Sequence, residues 1–202
     1  MSAAAPPPDV AQARRPAGVL TWLRAYAASD DPYVSATNFI AMILAWNQPY
    51  YPLYLWWIVG RGAWVALPFA LAFVPFFAIP AITRRAPLLG KVMLVVVSTA
   101  NVVFCSATLG EAAGIQLLFL PCGTLGAMLF PWRERFVMLA MTTLPLAAWL
   151  LTRGRFDAPP VRFSPASYAS LLTLNAVSAE LLMVFFGWLM AGIARRIEQG
   201  QR

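Results

Sequence analysis

Residues 92–110 read VMLVVVSTANVVFCSATLG, an uncharged run closed by Lys91 on one side and Glu111 on the other. About 20 mostly apolar residues carry an α-helix across a hydrocarbon core ~30 Å thick, so this run has the length of one membrane crossing. It lacks the alternating polarity that a transmembrane β-strand would show. In hydrocarbon each backbone N–H and C=O must be paired inside the segment, and a helix does that. Within it Ser98, Asn101, Cys105 and Thr108 recur at intervals of three and four residues, so they share one helical face.

Uncharged stretches of similar length lie on both sides of this one. Their limits are Asp31 and Arg61, Arg61 and Arg84, Glu111 and Arg133, Arg135 and Arg153, and Arg162 and Arg195, the last interrupted only by Glu180. The expected helices are 34–58, 63–82, 91–109, 113–131, 135–152 and 167–193. The fold expected is all-α: a polytopic membrane protein of six transmembrane helices. Pro49 and Pro52 are expected to kink or break the first of these. Proline lacks the donor that an α-helix needs, and Pro68, Pro75, Pro80, Pro121 and Pro145 stand inside later ones.

Composition agrees. Of 202 residues 60% are apolar and only 11% are charged, against roughly 25% charged in soluble domains. The net charge of +7 would suggest nucleic acid in a soluble protein. Here the basic residues cluster between apolar runs, which is a topology signal. With both termini cytoplasmic, one side holds Arg14, Arg15, Arg24, Arg84, Arg85, Lys91, Arg133, Arg135, Arg195, Arg196 and Arg202. That is 11 of the 15 basic residues. The location expected is a bacterial inner membrane, with the lipid bilayer as the first partner and no nucleic acid.

Four regions follow. Residues 1–16, rich in Ala and Pro, are expected to be a disordered tail. Residues 17–30 contain AGVLTWLRAYAA, where Val19, Trp22, Leu23 and Tyr26 fall on one face. An interfacial amphipathic helix is expected there. The rival reading is a cleaved signal peptide, although Arg24 interrupts its apolar stretch. Residues 31–194 form the bundle and 195–202 a cytoplasmic tail.

Catalytic chemistry finds little support. There is no histidine and no Cys-x-x-Cys, so His ligation, most zinc sites and paired-thiol exchange are missing. No nucleotide-binding glycine motif occurs. The chain therefore reads as a non-enzyme with no metal and no cofactor. Cys105 and Cys122 are expected to be small packing residues.

The informative residues are the polar ones inside apolar runs. A carboxyl group near the middle of a span costs ~2.5–3.5 kcal/mol on insertion scales. Glu180 is such a group. Its face holds Ala169, Thr173, Ala176, Met183, Gly187 and Ala191. Small residues let helices approach closely, so Glu180 is expected to point into the bundle. Asn101 lies at similar depth. Asn38, Ala41, Ala45 and Gln48 share a face on the first helix, with Asn47 beside Gln48, and Asn175 and Ser178 sit on the last. The candidate intramembrane cluster is Glu180, Asn101, Ser98, Thr108, Asn47, Gln48, Asn175 and Thr173. Its readings are interhelical glue and, with Glu180 at the centre, either a polar pocket for a small apolar or amphipathic ligand or a proton-titratable switch. The stretch 46–57, WNQPYYPLYLWW, reads either as an interfacial aromatic belt on a kinked helix or as the wall or lid of an outward-facing pocket for an apolar or cationic ligand.

Residues 119–135, FLPCGTLGAMLFPWRER, resemble the fourth helix and basic turn of six-helix membrane modules in bacterial signalling proteins. The resemblance rests on a Phe and a Pro late in the helix, the apolar run and the Arg-Glu-Arg turn at 133–135. It covers about residues 35–195. In those proteins the bundle precedes an adenylate or guanylate cyclase, a histidine kinase or a diguanylate cyclase. The resemblance implies a sensory module. Only six residues follow Arg196, so output is expected through a protein partner or a homo-oligomer. The alternatives are a structural subunit of a larger membrane complex and a substrate-binding transport subunit.

Overall fold

A computed structural model describes residues 18–200. The expected tail at 1–16 lies outside the described residues. Among those described, every regular element is helical. Four stretches are long and apolar enough to cross a membrane, Pro32–Arg85, Pro87–Leu109, Trp132–Thr152 and Pro165–Arg195; a shorter apolar helical stretch covers Ile115–Met128.

The first stretch is a hairpin. Helix α2 (Pro32–Asn47) begins at Asp31, whose carboxylate accepts from the N–H groups of Tyr33 and Val34, satisfying donors that a helix start leaves open. A 3-10 turn, Gln48–Tyr50, separates it from α3 (Tyr51–Val59), where Pro49 and Pro52 remove donors. The chain then reverses at Gly60, φ 66°, a conformation that costs glycine little. It returns as a 3-10 segment, Gly60–Ala72, that packs on α3, and as α4 (Phe73–Arg85), which packs on α2. The sequence predicted regular α-helix from residue 63. The 3-10 segment contains Pro68, which has no N–H to give the carbonyl of Trp64.

Helix α5 (Pro87–Leu109) follows at once and lies centrally, burying Leu94, Val95, Ser98, Thr99, Val102, Cys105, Ser106 and Leu109. Short 3-10 pieces, Glu111–Ala113 and Ile115–Leu118, lead into α6 (Phe119–Met128). The segment predicted as one helix over 113–131 is therefore shorter and broken at its start. Helix α7 (Arg135–Thr152) matches its predicted range and packs on α6. The two approach closely because residue 126 is glycine: a Cβ there would stand 2.5 Å from the backbone of Met141 and Thr142. Little of α7 is covered; Pro145 is its one buried residue. Helix α8 (Pro165–Gly200) is the longest element and continues unbroken through the predicted tail as far as Gly200.

The bundle has two distinct ends. At the basic end Lys91, almost fully buried, pairs with Glu134 and stands 5.3 Å from the Phe130 ring. Helix α1 (Val19–Ala27) lies across this end. Tyr26 donates to the Phe77 carbonyl at 2.8 Å, and Trp22, Tyr26 and Phe77 stack. Arg84 donates to the Ala25 and Tyr26 carbonyls, and Asn38 to that of Ala27. Cations at helix C-terminal carbonyls are favourable. At the Gly60 end, the Gly154 N–H donates to the Glu111 carboxylate. Trp56, Trp57 and Trp64 stand exposed near this end, and Trp132 near the other.

Two apolar clusters fill the interior. One, toward the basic end, joins Ile40, Phe76, Leu94, Leu125 and Phe186; the other, toward the Gly60 end, joins Leu55, Phe69, Leu109, Ile115 and Leu171.

Candidate functional site

Between the two clusters lies a cavity of about 120 Å³. Helices α2, α3, α4, α5, α6 and α8 and the 3-10 pieces Gln48–Tyr50 and Ile115–Leu118 supply its wall. Its polar groups are Asn47, Gln48, Tyr51, Ser98, Asn101, Asn175 and Ser178. Cys105 and Cys122, both free thiols, complete the middle of the wall. Toward the basic end the floor is apolar: Leu44, Phe76, Leu125, Leu182 and Phe186. No Asp, Glu, Lys or Arg lines it.

The roof is a chain of hydrogen bonds. Tyr51 donates its hydroxyl to the Asn175 side-chain oxygen at 3.1 Å, and the Asn175 amide donates to the Ala113 carbonyl at 2.8 Å. Asn175 is 0% exposed and fixes α8 against α3 and the start of the α6 region in one geometry. Lower down, satisfaction is poorer. The Asn101 amide reaches the Gln48 oxygen only at 3.5 Å, and the Cys105 thiol stands 3.9 Å from the Asn101 oxygen. The Ser98 hydroxyl is buried and has no partner; on the same helix Ser106 shares that lack. Buried polar atoms without partners are few in native proteins and call for a reason. Asn47 is the exposed member of the wall, so the cavity reaches the bundle surface beside it.

Five of the eight predicted cluster residues therefore meet: Asn47, Gln48, Ser98, Asn101 and Asn175. Three do not. Thr108 does not line the cavity and donates instead to its own helix, to the Phe104 carbonyl. Thr173 is exposed and donates to the Ala169 carbonyl. Glu180 is also exposed, together with Ala169, Met183 and Gly187 of its stripe. The expectation that Glu180 points into the bundle is corrected. The face of α8 that packs inward carries Leu171, Asn175, Ala179, Leu182, Phe186 and Ile193. Glu180 follows Ala179 by one residue and is turned ~100° from it. Bulk explains the choice: Leu and Phe fill the space between α8 and its neighbours, which the small stripe would leave void.

Sequence reasoning missed Tyr51 as the polar roof; of the aromatic side chains in 46–57 it alone lines the cavity, while Trp46, Tyr54, Trp56 and Trp57 stand exposed. The two cysteines, expected as packing residues, are buried in the cluster toward the Gly60 end and line the cavity as well. Their spacing on α5 and α6 carries no sign that the two helices share a cavity. A second, larger groove lies at the basic end between α1, α2 and α8, where Arg24 and Arg195 flank Phe39, Trp188 and Gly192.

No curated protein and no solved structure gives a significant match. One family does: MASE7 matches residues 23–198, from within α1 to the last turns of α8. A match of that extent, over an all-helical chain with several apolar helices, assigns the protein: it belongs to the MASE7 family of membrane-associated sensor domains.

Proposed function

We propose that this sensor domain reads the occupancy of its intramembrane cavity and passes the result along α8 to a partner. The observation that carries the reading is the double duty of α8. Through Asn175, Ser178, Leu182 and Phe186 it walls the cavity. It then runs on without interruption past the basic end to Gly200. A change at the wall that displaces α8 by about 1–2 Å, the scale of known helix shifts at interfaces, displaces its far end as well.

The partner docks on the other face of the same helix. Glu180, Val184 and Gly187 are exposed there, and a Cβ at Gly187 would meet nothing within 4 Å. A carboxyl group at mid-membrane is costly beside lipid and acceptable beside a protein hydrogen-bond partner. The partner is a second copy or a signalling enzyme of the cyclase or kinase class that the resemblance implies. The module makes six crossings of a bacterial inner membrane with both ends cytoplasmic. The reversal at Gly60, the additional stretch Ile115–Met128 and the concentration of basic residues at one end support this. No catalytic step is assigned to the chain itself.

The test fills the cavity. Spin labels at positions 85 and 195, with Cys105 and Cys122 replaced by alanine, report the distance from α8 to α4 at the basic end. Ser98→Leu should move that distance by about 1–2 Å relative to Ser98. Superimposable distance distributions would remove α8 as the messenger. The uncovered Glu180 face also favours a second reading, a structural subunit of a larger complex. That reading requires fixed-stoichiometry association that Ser98→Leu does not alter.

A further inference from the structure

The cavity's wall defines the chemistry of what it takes. We infer that its ligand is a small neutral amphiphile dissolved in the bilayer: one hydrogen-bonding group on an apolar body of about six to ten heavy atoms, entering beside Asn47. This rests on the proposed sensing role and names the ligand class for that site.

Charge is excluded by the lining. Among the described residues no Asp, Glu, Lys or Arg faces the cavity, and a buried unpaired ion carries a penalty of several kcal/mol. Size follows from the volume. At about 120 Å³ the space is near that of the ~150 Å³ apolar cavity that takes benzene. Polarity follows from the unmet hydrogen bonds. Ser98 is 6% exposed, lines the cavity and has no partner. Asn101 and Gln48 meet each other only at 3.5 Å. A ligand hydroxyl or N–H placed among these three would satisfy groups that the protein leaves short.

Orientation follows from the distribution of the groups. Tyr51 and Asn175 are committed to one another and close the Gly60 end. The floor of Leu44, Phe76, Leu125, Leu182 and Phe186 offers nothing polar. The ligand's polar group therefore sits level with Ser98 and Asn101, and its apolar body points toward the basic end. Entry is lateral, because the roof is bonded shut and the floor is packed. Asn47, exposed yet part of the wall, marks the opening. A ligand using that route must first partition into lipid.

The experiment uses the full chain in lipid nanodiscs and fluorine NMR, with empty nanodiscs as the measure of plain partitioning. Three probes share one ring: 4-fluorobenzyl alcohol, 4-fluorotoluene and 4-fluorobenzoate. We expect saturable binding of one alcohol per chain, about tenfold weaker binding of the toluene, and none of the benzoate. Ser98→Ala should weaken the alcohol severalfold and leave the toluene unchanged. Ser98→Leu should abolish both. Equal affinity for alcohol and toluene overturns the polar half of the inference. Saturable benzoate binding overturns the neutral half. No saturable binding of any probe means that the cavity holds water only, and the inference fails entirely. The sensing role fails separately, in the label distances that Ser98→Leu should shift without any ligand present.

Discussion

Asn175 and Glu180 stand five residues apart on one helix and meet opposite fates. Asn175 is wholly buried, donates to the Ala113 carbonyl and accepts from Tyr51. Glu180 lies on the uncovered side with Thr173 and Met183. A soluble helix would sort such residues by hydrophobicity, polar side out. In a bilayer the lipid is as apolar as the core, so that rule lapses and packing decides. The face with Leu171, Leu182 and Phe186 goes inward, and Asn175 goes with it because its hydrogen bonds are met there. The Glu180 face stays exposed.

The contrast can be tested by removing polar groups that are satisfied and comparing the losses. The largest effect belongs to Glu134. Glu134→Ala strands Lys91, whose side chain is 3% exposed, and breaking a buried pair costs about 3–5 kcal/mol. Thermal unfolding in detergent should show it, and Glu134→Gln should recover part. Asn175→Leu comes next. It leaves the Ala113 carbonyl and the Tyr51 hydroxyl unpaired, for a loss of about 2 kcal/mol measured in the same way. Tyr51→Phe removes a single bond and should cost about 0.6–1.5 kcal/mol. Smallest is Glu180→Gln, which should leave the stability of the isolated chain unchanged within about 0.5 kcal/mol. If Glu180→Gln costs as much as Asn175→Leu, the two residues are not in different environments and the contrast is lost.

Much of the fold was legible. The run between Lys91 and Glu111 gave the end of α5 at Leu109, but the helix begins four residues earlier, at Pro87, with Lys91 buried inside it. Pro49 and Pro52 announced the interruption at Gln48–Tyr50. The polar groups themselves were legible too, since Asn101 and Gln48 both stand out inside apolar runs and meet in the cavity wall. What counting does not give is direction around the helix axis. Periodicity showed that Glu180, Thr173 and Gly187 share a face and that Ser98, Asn101 and Cys105 share another. Whether a face meets protein or lipid depends on the volumes of its neighbours, which the pattern of one helix does not hold. Thr108 shows a related limit: a hydroxyl can satisfy itself on its own helix's carbonyl and then needs no site. The 3-10 conformation of Gly60–Ala72 is a third: Pro68 marks a missing donor, but the apolar run does not show which helix type the segment takes.

The rotation of α8 is the point on which site and transmission both depend. Spin labels placed singly at positions 179 and 180, in single-copy nanodiscs and with both native cysteines replaced by alanine, measure it through label mobility and collision with oxygen. We expect the label at 180 to be mobile and readily reached by oxygen from the lipid, and the label at 179 to be immobilised and shielded. The reverse pattern would turn Glu180 toward the bundle and contradict the placement of the cavity wall on α8.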